Sequence, residues 1–380
     1  MRLNHTVALT DVGRERKHNE DAHLLLSDIG LLAVADGMGG LEHGEVASAT
    51  AIGTIRAARS VLTDLVEKTD EVPARENRAN LGSALEQVTD IASSRIQQVL
   101  QGANSGTTLV VGVIAGGHLM VANTGDSRAY LFRQGRIRCL TDDHTVAAAR
   151  LRAGLLTQEE HDNSPYQHML YQALGISGEV NPDLFDEPLA MGDIVLLCSD
   201  GLTGPVPDGM CEHILEEHLE QDATLDEIAG ALVKEANDKG GPDNITVVMA
   251  RIEDGPTADT VERDRITLEA ANATGALESI DLRLLRHYLD YESLGPEEAT
   301  SPARGLHLVL TGALCRGEER VEPGSFCGVK SLMDGTEEPW LAEGDTRCLT
   351  LSGECYELLE RRRPKTAARL LRGVLGALSD

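Results

Sequence analysis

The sequence predicts an α+β protein of two domains, the first a mixed domain of hairpin-rich sheets and helices. Three observations carry this prediction. At 380 residues the chain is longer than the roughly 250 to 300 residues at which a single core stops growing. Its strand-like runs are short, apolar and bounded by Gly or Asp, and several follow one another across tight turns. Helical periodicities stand between groups of strands, without the regular alternation of a βαβ repeat.

In order along the chain, His23 to Ser27 and Leu31 to Ala35 are strand runs joined by a turn at Asp28 to Gly30. Val46 to Leu65 reads as a helix, and so does the series Leu81, Leu85, Val88, Ala92, Ile96 and Val99, spaced by three and four. Thr107 to Ala115 and His118 to Asn123 flank Gly116 and Gly117 as a hairpin, onto which Ser127 to Phe132 is expected to pair, with a turn near Gly135. Strand runs return at Ile194 to Cys198 and Ile245 to Ile252. The helix between them opens on a capping box, Thr224 with Glu227, and stops at Gly240 and Gly241.

From Glu253 to about Glu278 the strand signal fades and Asp, Glu, Thr and Ala take over, as in a linker or loose helix. The expected boundaries are therefore 1–253, 254–278 and 279–380. In the last of these, Asp281 to Tyr291 is helical in pattern. His307 to Leu310, Val321 with Pro323, and Cys348 to Leu351 are short strands, and Glu354 to Leu378 closes as a basic helical hairpin.

Composition limits the partners. The net charge is -28, and residues 1–253, with 39 acids against 19 bases, contribute -20 of it. Such a surface repels phosphate backbones, and aromatics at 3% leave few rings on which bases could stack, so nucleic acid is not an expected partner. Most of these carboxylates are solvated surface charge. The start, MRLNHTVALTDVG, lacks a basic region followed by an apolar stretch, so no export signal is expected there, and no window approaches the roughly 18 apolar residues of a membrane span. The seven cysteines stand singly, without a close CxxC pair, as free thiols would in a reducing cytoplasm.

Four segments place Asp at the ends of predicted strands: Asn19-Glu20-Asp21, Asp36-Gly37-Met38-Gly39-Gly40, Ser199-Asp200-Gly201 and Asp243-Asn244. A strand end beside Gly can deliver a carboxylate into a cleft while the backbone approaches a ligand closely. One such Asp is ordinarily a turn residue. Several forced together repel, and hard divalent cations such as Mg²⁺ or Mn²⁺, which prefer oxygen, offset that repulsion.

In this order the motifs resemble the PPM family, the PP2C-type metal-dependent protein phosphatases. Arg16 to Asp21 is similar to the opening motif, Asp36 to Gly40 to DGxGG, Gly106-Thr107-Thr108 to GTT, and Gly125 to Arg128 to GDSR. Ser199 to Gly201 is similar to SDG, and Asp243 to Val247 to the closing DNxTV element. The resemblance implies a β-sandwich of two antiparallel sheets flanked by helices, and hydrolysis of phosphoserine and phosphothreonine in proteins by in-line attack of a metal-bridging water. It implies that Asp36 bridges two Mn²⁺ or Mg²⁺ ions with the Gly37 carbonyl on one. Asp200 and Asp243 would bind one ion, and Glu20 and Asp21 the other. Asp126 with Asp200 would form a third, weaker site, and Arg16 would grip the phosphate. A bacterial regulator opposing a Ser/Thr kinase is the implied setting.

Two positions depart from the family. Where relatives offer a histidine to the leaving group, this chain has Met38 and Leu41, with His43 nearby read as a surface residue. Gly204 stands where an acid often follows SDG. Asp142 to Gly175 resembles the flap of bacterial members, a segment expected to be mobile and selective. Its His144, His161 and His168 read as scattered surface residues rather than zinc ligands.

Residues 279–380 resemble the Crp-type cyclic-nucleotide-binding domain, a β-roll with terminal helices, on Leu306 to Gly312, Glu322 to Gly328 and Gly344 to Leu349. Val329 replaces the Glu that binders carry, and Thr336 to Pro339 lacks the Arg that holds the cyclic phosphate; Lys330 and Arg347 read as solvent-facing. The expectation is a degenerate module for protein contact, without a nucleotide. Two other readings of the whole chain stand beside the phosphatase: a catalytically weak phosphoprotein-binding scaffold, and a small-molecule phosphohydrolase.

Overall fold

The computed structural model describes residues 3–39, 43–72, 75–101, 104–176, 180–258, 261, 290–300, 305–334, 336, 339–362 and 370. The chain divides into two compact units, Met1–Pro73 with Asn80–Ala258, and Ala74–Ala79 with Asp259–Asp380.

Strands β1 (Thr6–Asp11), β2 (Asp21–Leu26) and β3 (Leu31–Met38) lead into helices α1 (His43–Ala57), α2 (Arg59–Glu71) and α3 (Arg75–Leu100). Then come β4 (Gly106–Thr107), β5 (Leu109–Ala115), β6 (His118–Thr124), β7 (Arg128–Arg133) and β8 (Arg136–Cys139). Helices α4 (Val146–Arg152) and α5 (Gln158–Asp162) precede β9 (Asp183–Pro188) and β10 (Ile194–Cys198). Helices α6 (Asp200–Thr203), α7 (Asp208–Glu220) and α8 (Leu225–Asp238) precede β11 (Ile245–Arg251).

These strands form two antiparallel sheets, β1-β11-β10-β7-β8 and β2-β3-β5-β6-β9, with β4 pairing back on β3. Both faces of each central strand are buried, which is why the strands read as continuous apolar runs. In β3, Leu32 and Val34 face the core between the sheets with Val110, Val121, Leu197 and Val248. Leu31, Ala33 and Ala35, one residue out of phase, face the helical layer with Ile55, Leu81, Leu85 and Ile96. On the other side, Ile194, Leu196 and Cys198 pack against Ile228, Leu232 and Leu215. Helix α8 presents that stripe because its apolar residues recur at three and four, and its Thr224–Glu227 capping box is formed as expected.

The β5–β6 hairpin turns at Gly116 and Gly117, whose φ of 57° and 77° give the two left-handed positions that a two-residue turn of this twist requires. Two sequence expectations need correction here. Ser127 to Phe132 does not pair onto that hairpin: β7 lies in the opposite sheet, between β10 and β8. The chain changes sheets through Gly125-Asp126-Ser127, which puts Asp126 at the edge of the sandwich. The helix over Val46 to Leu65 is two helices, because Ala58 at φ −80°, ψ 0° leaves the helical ψ and turns the chain.

The second unit holds β12 (Asp290–Leu294), β13 (Gly305–Thr311), β14 (Leu314–Arg316), β15 (Glu319–Val321), β16 (Phe326–Cys327), α9 (Val329–Asp334), β17 (Leu341–Ala342), β18 (Thr346–Ser352) and α10 (Gly353–Arg362). Its sheets run β12-β18-β13-β16 and β15-β14-β17, around Leu294, Val309, Leu314, Trp340 and Ala342. Asp290 and Tyr291, expected at a helix end, are instead strand residues paired with Thr350 and Leu349. The remainder of that expected helix, most of the linker, Glu337 and Glu338, and nearly all of the closing hairpin beyond Arg362 lie outside the described residues. No described helix is long and apolar enough to cross a membrane.

Candidate metal centre and substrate cleft

At one end of the sandwich, strand ends and loops wall a cleft of about 230 Å³. Five carboxylates line it: Glu20, Asp36, Asp126, Asp200 and Asp243. Asp36 arrives on β3, where its backbone is fixed from three sides. Its N–H donates to Thr108 Oγ1 at 3.0 Å, and its carbonyl accepts from Thr108 N at 2.9 Å and Thr107 Oγ1 at 2.8 Å. Asp200 follows β10 and Asp243 precedes β11, the next strand over. Gly201 lets these two loops close on each other, since a Cβ there would sit 2.0 Å from the Asn244 carbonyl oxygen. Asn244 staples the third segment: its Oδ1 accepts from Glu20 N at 2.8 Å and its Nδ2 donates to the Val12 and His18 carbonyls at 2.9 Å.

Asp21 stands apart from the other carboxylates. It lies across from Asp36 in the β2–β3 register, behind the wall, and its Oδ2 accepts from Ser199 Oγ at 2.8 Å and Thr246 Oγ1 at 2.6 Å. Its other oxygen, Oδ1, is buried without a hydrogen-bond partner, and so is Asp200 Oδ1. An unpartnered buried carboxylate oxygen costs about 1–3 kcal/mol or more, so a partner for each oxygen is the physical expectation.

The electrostatics agree. Burial, then the charges of Asp21, Asp200 and Asp126, pushes the Asp36 carboxyl well above its ordinary value. Burial, with Asp200 and Asp143 nearby, pushes Asp126 up to about 8, and burial takes Asp21 up to about 7 against the hydrogen bonds from Thr246 and Ser199. Asp200 and Glu20 are raised too, first by burial. Divalent cations would reverse this preference for protons, and an all-oxygen set suits Mn²⁺ or Mg²⁺.

Arg16 is at the rim, half-exposed, with Nη2 donating to Asp243 Oδ2 at 2.6 Å. The Gly37 backbone lines the cleft, as does Met38; His43 opens α1 and is not among the lining residues. Leu41 lies outside the described residues.

Of the flap histidines, His144 corrects the sequence reading. His144 is no surface residue: it is buried, its Nδ1 accepts from Gly125 N at 3.3 Å and Gln172 Nε2 at 3.0 Å, and its Nε2 donates to Asp183 Oδ2 at 3.1 Å. His168 is exposed but lines the cleft, with Nδ1 3.9 Å from Asp200 Oδ2; it forms one cluster with Asp200 and Asp126. His161 pairs with Asp162 next to it. Thr108, Ser199, Thr246 and Asn244 stand inside the motifs, yet their roles as supports follow only from sheet register.

Residues 6–150 match the family model for protein phosphatase 2C. The serine/threonine phosphatase stp of Listeria monocytogenes serotype 4b is 38% identical over 250 residues, which cover 64% of this chain and 94% of that protein. The chain belongs to the protein phosphatase 2C family. It is a metal-dependent serine/threonine protein phosphatase. The PstP phosphatase of Mycobacterium tuberculosis is 36% identical over 247 residues, which span 65% of this chain and 45% of that longer protein. The crystal structure of PstP superposes with a TM-score of 0.54 at 33% identity, covering 66% of this chain and 98% of that one. A PstP catalytic domain in complex with two manganese ions gives a TM-score of 0.52 at 32% identity. As a member of this family the chain depends on Mn²⁺ or Mg²⁺ and acts on phosphoproteins.

Proposed function

We propose that the cleft hydrolyses phosphoserine and phosphothreonine esters with Asp36, Asp200, Asp243, Glu20 and the Gly37 carbonyl around two divalent cations. Asp21 supports them from behind, and Asp126 with Asp200 offers a third position. The observation that carries this reading is the convergence of five carboxylates on one cleft, with Asp200 Oδ1 and Asp21 Oδ1 buried and unpartnered. When bound, the cations supply Lewis-acid stabilisation of the phosphoryl oxygens and an activated water. Arg16 contributes a guanidinium at the rim, suited to bidentate contact with a phosphate. Thr107 and Thr108 hold Asp36 rigidly, so its carboxylate needs little reorganisation during turnover.

The same reading takes 1–253 as the phosphatase domain, 254–278 as the linker and 279–380 as a Crp-like β-roll that lost its phosphate clamp and serves protein contact. The paired small sheets of the second unit are what supports a roll there. A cytoplasmic setting is supported by six described cysteines, all free thiols.

The test is phosphate release from a phosphothreonine peptide with and without Mn²⁺, repeated with Asp36→Ala and Asp200→Ala. Metal-dependent turnover should fall by more than about 10²-fold in each, the loss typical of removing one preorganised electrostatic group. Either variant turning over like the parent would refute its assignment.

A further inference from the structure

Three strands of the second unit bring a carboxylate, an imidazole and a thiol to one buried face. Glu292 on β12 lies directly opposite Cys348 on β18, and His307 on β13 directly opposite Thr350 on β18. Opposed residues of an antiparallel pair share a face, and residues two apart on one strand do as well, so all four side chains point the same way. The ligand atoms of Glu292, His307 and Cys348 lie within 4.8 Å of one another. Cys348 Sγ is 3.7 Å from Glu292 Oε2. Two donors on one tetrahedral ion, sulfur at about 2.3 Å and oxygen at about 2.0 Å, stand roughly that far apart.

The surroundings are those of a core. Leu294, Val309, Leu314 and Trp340 pack around Cys348, and both His307 and Cys348 are fully buried. Thr350 Oγ1 links the group, 2.9 Å from His307 Nδ1 and donating to Glu292 Oε2 at 3.2 Å, while His307 Nε2 is buried with no partner. We propose that Glu292, His307 and Cys348 form a second, structural metal site for a borderline-soft divalent cation of the zinc class, with Cys327 as the candidate fourth ligand. Cys327 faces His307 in register and belongs to the same buried cluster as Cys348.

The donor set decides the metal class. Nitrogen and sulfur favour zinc over the hard cations that five carboxylates would take. A disulfide between Cys327 and Cys348 is not the alternative. They sit on β16 and β18, on opposite sides of β13, and two strand spacings of about 4.8 Å exceed the roughly 7 Å reach of a disulfide. The site does not depend on the phosphatase reading, because it shares no residue with the cleft. Thr350 would act from outside the ligand set, orienting the imidazole and the carboxylate.

The experiment is a Co²⁺ titration of the full chain, stripped of metal by a chelator, followed by absorbance. Cobalt bound to a thiolate gives a near-ultraviolet charge-transfer band, and cobalt among carboxylates does not, so the cleft is silent in this readout. The parent should show the band, lose it to Zn²⁺, and keep it in Asp36→Ala. Cys327→Ser with Cys348→Ser should abolish it, Cys348→Ser alone should diminish it, and His307→Ala and Thr350→Val should each weaken Co²⁺ binding by at least about 10-fold. No thiolate band in the parent, or a band that survives the double variant Cys327→Ser/Cys348→Ser, overturns the proposal. If the double variant does not fold, Glu292→Gln decides: a loss of at least about tenfold in Co²⁺ affinity supports the site and an unchanged affinity overturns it.

Discussion

In the first unit five carboxylates reach a solvent-connected cleft from strand ends and loops, whereas in the second Glu292, His307 and Cys348 project from the middle of paired strands into a core. The first cluster is hard and held at strand ends by backbone and side-chain hydrogen bonds. The second is mixed nitrogen, sulfur and oxygen, held by register alone. The difference teaches that position on a strand sets what a polar group can do. A strand end leaves room for water, substrate and exchangeable cations, and a strand middle leaves room only for an ion that stays.

Metal removal separates the two most sharply. Chelation of Mn²⁺ and Mg²⁺ is expected to abolish phosphate release completely and reversibly, because the cleft has no cysteine among its lining residues to serve as an alternative nucleophile. Re-addition of Zn²⁺ to the level that fills the second-unit site, judged by quenching of the cobalt band, should leave turnover at zero until Mn²⁺ is restored. Activity returning with that stoichiometric Zn²⁺ alone would break the division between an exchangeable and a resident site.

Arg16 comes next in expected size. A hydrogen bond to a charged group contributes about 1.5–3 kcal/mol, so Arg16→Ala should lower kcat/KM for a phosphopeptide by roughly 10- to 150-fold. Arg16→Lys should recover only part of this, since a lysine keeps the charge without the planar fork. Equal kcat/KM in the parent and Arg16→Ala would remove the phosphate-binding role.

Supports behind the carboxylates should act on metal affinity rather than on chemistry. Thr246→Val deletes the 2.6 Å hydrogen bond to Asp21 Oδ2 while preserving shape. Half-maximal activity should then require about 10- to 100-fold more Mn²⁺, with kcat at saturating Mn²⁺ close to the parent. A fall in kcat with unchanged Mn²⁺ dependence would place Thr246 nearer to the reacting groups than its position behind Asp21 suggests.

That support was hidden from the sequence, and so was the second cluster, for the same physical reason. Asp36, Asp200 and Asp243 are legible because a strand signal bordered by Asp is local. Ser199 and Thr246 meet Asp21 only because β10, β11 and β2 converge, and Glu292, His307 and Cys348 share a face only through the register of three distant strands. The buried apolar runs gave the strands of both sheets. The switch of sheets at Asp126 and the break at Ala58 turn on tertiary pairing and on a single ψ, neither of which periodicity reports. His144 was misread because a histidine in a long segment carries no local sign of what it folds back upon.

The smallest effect compares the two units by pH. Asp21 and Asp126, ordinarily near 3.8, are raised to about 7 and about 8 in the folded unit. Between about pH 4 and 8 the folded state therefore binds protons that the unfolded chain has released, so stability of the first unit falls as pH rises through that window. His307 works in the opposite direction: its folded value near 4 lies below the ordinary 6.5. There the unfolded chain binds the extra proton, and the second unit gains stability as pH rises from about 4 to 6.5. With a chelator present, amide hydrogen exchange read peptide by peptide should show protection of β7 and β10 declining between pH 5 and 6.5 while protection of β13 and β18 increases, once the intrinsic pH dependence of exchange is divided out. Saturating Mn²⁺ should flatten the first slope, because cations in place of protons leave the carboxylates charged in both states. Parallel slopes in the two units would mean that burial of Asp21 and Asp126 does not govern the first, and the contrast between a cleft that needs exchangeable charge and a core that excludes it would fail.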